Sequence, residues 1–142
     1  LIATTEQYQL LSTGGGHQQA GRDSTCIDRV FQYTIHSFRE PVSISDVAAI
    51  ACMSIPAFCN YFKRCTQKTY INYLNEIRIG YACQLLLETR RPVLDICYES
   101  GYNTMANFHK QFQKIKKMTP LSYRKYFDPE YIGRGTNIGI AH

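Results

Sequence analysis

The sequence predicts an all-α fold of seven helices, and three observations carry that prediction. Apolar residues recur by threes and fours through several separate segments, the spacing of one helical face, and no stretch makes a credible strand. Several of those segments begin at hydroxyl or proline signals, and two stop at Pro41 or Gly101. Finally, a short helical hairpin is written twice, once on each side of a single long helix.

The long helix is expected over Thr69 to Glu88, TYINYLNEIRIGYACQLLLE. Tyr70, Leu74, Ile77, Tyr81 and Leu85 form a continuous apolar stripe. Asn72, Asn75 and Glu76 keep the far side of its first half polar, whereas Ile79, Cys83, Leu86 and Leu87 make the second half apolar there too. A helix with apolar residues on two sides is expected to be buried between packed bodies rather than to lie on one.

Leu1 to Leu11 have no trustworthy period and are expected to be the end of an upstream domain, and STGGGHQQAG, Ser12 to Gly21, a flexible linker. The domain proper then runs over 24–127: a first unit at about 24–68, the linker helix at 69–89 and a second unit at 92–127. The residues 128–142 are expected to be a flexible tail. In the first unit Ile27, Val30, Phe31, Ile35 and Phe38 make a helical stripe that ends before Pro41. Ser43 to Asp46 fits a capping box opening a short helix to about Ala51. Ser54 caps the next helix, Ile55 to about Cys65, with Pro56 in its first turn and Phe58, Tyr61 and Phe62 facing in. In the second unit Pro92 opens a short helix through Ile96, Cys97 and Tyr98, stopped by Gly101. Asn103 or Thr104 caps a helix from Met105 to about Lys114 that buries Phe108 and Phe112. Thr119-Pro120 starts a last helix carrying Leu121, Tyr123 and Tyr126.

Length and composition narrow the function. A chain of 142 residues suits one domain, or two small ones sharing a core. The longest apolar run, Val47 to Met53, is too short to span a bilayer, so no membrane partner is expected. The six cysteines, at 26, 52, 59, 65, 83 and 97, show no C-x-x-C pair and no His at ligand spacing. Reduced, inert thiols, a cytoplasmic location, no metal and no cofactor are therefore expected. The net charge of +5 is unevenly spread. Residues 1–50 carry three basic and five acidic groups. Gly101 to Phe127 carries Lys110, Lys114, Lys116, Lys117, Arg124 and Lys125 without a carboxylate, and Ile55 to Tyr70 has Lys63, Arg64 and Lys68 unopposed. Two acid-free basic segments at matching places in a repeat point to a polyanion partner.

The repeat aligns residue by residue. Phe58 and Phe62 match Phe108 and Phe112 at an offset of fifty, and Arg64, Ser54 and Thr69 match Lys114, Thr104 and Thr119. Asp46, Val47 and Ala48 match Asp95, Ile96 and Cys97 at forty-nine, so the second turn is one residue longer. Two short helices joined by a tight turn make a helix-turn-helix, whose second helix fits the B-DNA major groove. The linker helix, about 30 Å long at 1.5 Å per residue, is comparable with one DNA turn of roughly 34 Å. Two readers so joined could enter successive major grooves.

GYNTMANFHKQFQKIKKMTPLSYR, Gly101 to Arg124, resembles the signature of the AraC/XylS family of bacterial transcription regulators. It has the G-[FY], the F-x-x-x-F, the basic pair and the T-P-x-x-Y-R ending. Tyr70 to Thr89 is similar to that family's linker helix, including Leu74, Arg78, Ala82, Leu85 and Leu86. The resemblance covers about Ser24 to Tyr126. It implies a tandem, homeodomain-like pair of helix-turn-helix subdomains that binds promoter DNA to regulate transcription and is not an enzyme. It further implies RNA polymerase as a partner and an upstream effector-binding or dimerisation domain outside this sequence. Four positions depart from the pattern: Cys52, Gln67 and Lys117 stand where glycines are usual, and Ala106 where a small hydroxyl is usual.

By this similarity Pro56, Cys59 and Asn60 occupy base-facing positions on the first recognition helix, and Asn60 alone offers the bidentate amide that suits adenine. On the second helix the candidates are Ala106, Asn107, His109 and Lys110. Asn107 suits adenine, and Lys110 suits guanine or a phosphate. Ser54, Lys63, Arg64, Lys68, Thr104, Lys114, Lys116 and Lys117 are candidates for phosphate. Arg78 is expected to pair with a carboxylate or cap a carbonyl rather than touch DNA. Two rivals stand beside this expectation: a helical protein-interaction module, and a regulator-linked DNA-repair protein using a cysteine thiolate.

Overall fold

The computed structural model describes residues 18–128. Among them are seven helices and no strand: α1 Gln18–Ser37, α2 Ile44–Ile50, α3 Ile55–Thr66, α4 Tyr70–Glu88, α5 Val93–Glu99, α6 Met105–Lys116 and α7 Pro120–Phe127. The chain divides into two compact units between Ile77 and Arg78, inside α4. The expected linker lies outside the described residues up to His17, but Gln18 to Gly21 form the first turn of α1. Gln and Ala are good helix formers, and they outweigh the single glycine at the end of that turn.

The first unit is built around aromatic rings. Val30, Val47, Phe58 and Phe62 are fully buried, with Ile27, Phe31, Phe38, Tyr61, Tyr70 and Tyr73 nearly so. The Phe62 ring meets Phe31 at 6.2 Å, Tyr70 at 5.3 Å and Tyr73 at 5.4 Å between centroids. Edge and tilted contacts of this kind add to the area that each ring buries. The α1 stripe differs from expectation at one position: Ile35 is exposed, and Thr34 takes its place in the core. Thr34 lies three and four residues from Phe31 and Phe38, so it sits nearer the centre of the buried face. Its hydroxyl donates to the Val30 carbonyl at 2.7 Å and shares a hydrogen bond of 2.7 Å with the Tyr70 hydroxyl, which satisfies both buried groups.

The second unit packs Ile79, Ala82, Cys83 and Leu86 of α4 against Ile96, Cys97, Tyr102, Phe108 and Phe112. Tyr98, Leu121 and Tyr126 point outward. Arg78 stacks its guanidinium over the Tyr102 ring at 5.6 Å, a cation–π contact absent from the sequence expectation.

α4 explains its own composition. Tyr70, Tyr73, Leu74 and Ile77 are buried in its first half, and Ile79, Ala82, Cys83 and Leu86 in its second. At about 100° per residue these two sets lie on opposite faces of the helix. Asn75, expected to face outward, is only 8 % exposed.

Candidate nucleic-acid interface

The second helices of the two hairpins are capped by the same local chemistry, whereas α2 has a hydroxyl cap and α5, after Pro92, has no side-chain cap. The Ser43 hydroxyl accepts from the Ser45 N–H at 3.2 Å to open α2, and the chain bends by 76° between α2 and α3. Ser54 then caps α3 by accepting from Ala57 N–H at 3.4 Å, and Thr104 caps α6 by accepting from Asn107 N–H at 3.2 Å. The turn before each recognition helix contains a left-handed residue, Cys52 at φ 57° and Gly101 at φ 99°. Glycine adopts that backbone freely, while cysteine does so against the clash of its Cβ with the peptide. Each helix also ends on a left-handed residue, Gln67 or Lys117, both at φ 64°. The fold thus keeps the glycine conformation at all three positions where the residue departs from glycine.

Burying Phe58, Tyr61 and Phe62 leaves the opposite face of α3 in solvent, and Pro56, Cys59, Asn60, Lys63 and Arg64 are all exposed there. Arg64 carries its guanidinium 5.8 Å from the centre of the Tyr61 ring, and the Gln67 amide donates to the Arg64 carbonyl at 3.1 Å. Burying Phe108 and Phe112 does the same for α6, exposing Ala106, Asn107, His109, Lys110 and Lys114, with Lys117 following. The Asn107 carbonyl oxygen accepts from the Gln111 amide at 3.5 Å, and the His109 ring lies 6.1 Å from that of Phe108. Gln113, exposed on the same helix, is the counterpart of Lys63 at the offset of fifty. It carries no charge, so only the repeat marks the position.

Three cations are placed differently from the rest. Lys68 is half-buried and held by Glu76, donating to its two carboxylate oxygens at 2.8 Å and 3.1 Å. Lys116 is half-buried, and its charge acts on Cys83, opposing the burial that pushes that thiol up. Arg124, counted in the basic segment, is turned onto its own unit. It donates from Nε to the Leu86 carbonyl at 3.0 Å and from Nη2 to the Thr89 carbonyl at 3.2 Å. These are the unsatisfied carbonyls at the C-terminus of α4, where a cation also suits the helix dipole. Burial lowers the Arg124 pKa, with Arg90 adding to the effect and Asp128 opposing it. Nothing in the sequence separation of 38 residues signals that cap.

Chemically, α3 and α6 each present an exposed face of amides and cations, and neither helix carries a carboxylate. No single helix among the described residues is long and apolar enough to cross a membrane.

Comparison with known proteins agrees with this geometry. Residues 47–126 match the helix-turn-helix domain family. The uncharacterized HTH-type transcriptional regulator YdeC of Bacillus subtilis (strain 168) is 35% identical over 86 residues, covering 61% of this chain and 30% of that protein. The chain spans about a third of the length of the curated relatives it matches, 30% of YdeC and 33% of the melibiose operon regulatory protein of Escherichia coli (strain K12). Among solved structures, the C-terminal domain of AraT, a response regulator from Geobacillus stearothermophilus, superposes with a TM-score of 0.69 at 27% identity, covering 72% of this chain and 86% of that one. The DNA-binding domain of AdpA, a global transcriptional factor solved with a target DNA, shares the fold at a TM-score of 0.66 and 22% identity, covering 72% and 91%. The chain belongs to the AraC-type helix-turn-helix family of DNA-binding transcription regulators.

Proposed function

We propose that this chain is the DNA-binding part of a longer effector-responsive regulator, and that it reads promoter DNA with α3 and α6 in successive major grooves. The observation that carries this is the matched exposure of the two helices: each buries its phenylalanines and leaves a carboxylate-free face of amides and cations in solvent. Asn60, Asn107, His109 and Lys110 are assigned to base edges. Pro56, Cys59 and Ala106 are assigned to close apolar contact, such as a thymine methyl. Lys63, Arg64, Lys114 and Lys117, with the caps Ser54 and Thr104, are assigned to phosphates, which supply most of the affinity. The chain acts by binding, not catalysis, in the cytoplasm, and RNA polymerase is the partner that bound regulators of this kind address.

Lys110→Ala tests the assignment of bases. Binding measured across a randomised site should lose discrimination at one or two base pairs, by about 1–3 kcal/mol. A uniform loss on every sequence would make Lys110 a phosphate contact instead.

A further inference from the structure

The two hairpins differ just after the recognition helix. In the first unit the Thr66 hydroxyl, 2.8 Å from the Phe62 carbonyl and 3.0 Å from the Lys68 carbonyl, accepts from the Lys68 N–H at 3.3 Å. That fixes the loop, and the Lys68 ammonium then reaches both oxygens of Glu76, two turns into α4. The pair is not sealed from solvent: the side chains are 25% and 40% exposed. Fifty residues on, the counterparts of Lys68 and Glu76 are Met118 and Tyr126, which cannot form such a pair. There the neighbouring Lys114 and Lys117 have no carboxylate partner among the described residues.

We propose that Glu76 withholds Lys68 from the DNA backbone and so sets the affinity of the first unit for DNA of any sequence. The inference rests on the DNA-binding function proposed above. A phosphate and a carboxylate compete for the same ammonium. An accessible lysine that is already bonded twice by a carboxylate on its own fold releases no counterion when DNA arrives. Each phosphate that a protein neutralises adds about 0.9 to the slope of log affinity against log salt, so the state of Lys68 is countable. Because a phosphate contact carries no sequence information, freeing Lys68 tightens binding to matched and random duplexes by the same factor.

The test uses the full chain, a selected duplex and a random-sequence duplex of the same length, titrated in potassium chloride. Glu76→Gln is expected to steepen the salt slope by about 0.9 and tighten both duplexes about threefold to tenfold at the lowest salt. Lys68→Ala should leave the slope at the wild-type value, and the double variant should return to it. A shallower slope in Lys68→Ala would overturn the proposal, since Lys68 would already be on the DNA. So would a double variant as steep as Glu76→Gln, since removing the carboxylate alone would then explain the gain. An unchanged slope in Glu76→Gln, with wild-type binding intact, removes this inference and leaves the DNA-binding function standing. No wild-type binding even at the lowest salt removes both. Helical circular dichroism and unfolding midpoints of all three variants confirm that folded proteins are compared.

Discussion

Among individual residues, the three left-handed positions without glycine show the fold imposing its backbone on side chains that resist it. Cys52, Gln67 and Lys117 each hold a φ between 57° and 64°, a conformation that costs a residue with a Cβ roughly 1–2 kcal/mol. Lys117→Gly is accordingly expected to raise the free energy of unfolding by about 1 kcal/mol in urea titration. Gln67→Gly should gain less, because the amide that caps the Arg64 carbonyl at 3.1 Å is lost with the side chain. A loss of stability at Lys117 would mean that the side chain contributes more than the backbone strain removes. The cysteines sort by burial in the same way. Cys52 and Cys59 are exposed, whereas Cys83 and Cys97 are buried, and burial pushes both of those thiols up. A disulfide reagent should therefore modify Cys52 and Cys59 in the native protein and reach Cys83 and Cys97 only on unfolding. A single thiol reacting far faster than free cysteine would favour the thiolate-dependent rival over a purely DNA-binding domain.

Among the helices, α4 is the most informative, because its two halves bury opposite faces in two different cores. Its sequence announced two apolar sides, but not where one gives way to the other. That changeover between Ile77 and Ile79 is set by what packs against each half, which periodicity within the helix cannot reveal. Caps were the most legible local feature: Ser43, Ser54, Thr104 and Thr119 all accept from a backbone N–H two or three residues on. Capping is chemistry within one turn, so its signal lies in adjacent residues. The cap at the other end of α4 was invisible for the opposite reason, since Arg124 comes from α7. Arg124→Ala should lower stability by about 1–2 kcal/mol through the exposed Leu86 and Thr89 carbonyls, while leaving the salt dependence of DNA binding unchanged. A salt slope shallower by about 0.9 would show instead that Arg124 neutralises a phosphate.

For the molecule as a whole, the repeat is the organising fact. The aligned phenylalanines Phe58, Phe62, Phe108 and Phe112 are all fully buried. The aligned faces opposite them are all exposed, so the position of both exposed helix faces was legible from an offset in the sequence. What the offset could not supply was the use made of each cation. Lys68 and Arg124 look like free basic residues in the sequence and are engaged by Glu76 and by the end of α4 in the fold. Charge counts locate a basic surface; partners brought from elsewhere in the chain decide which charges remain for a ligand. In the proposed binding mode both recognition helices read bases on one duplex. Selection of bound sequences from a random duplex library tests it most directly. Two enriched blocks centred about one helical turn, roughly 10 base pairs, apart are the predicted result. A single enriched block, or no enrichment above random sequence, would contradict it.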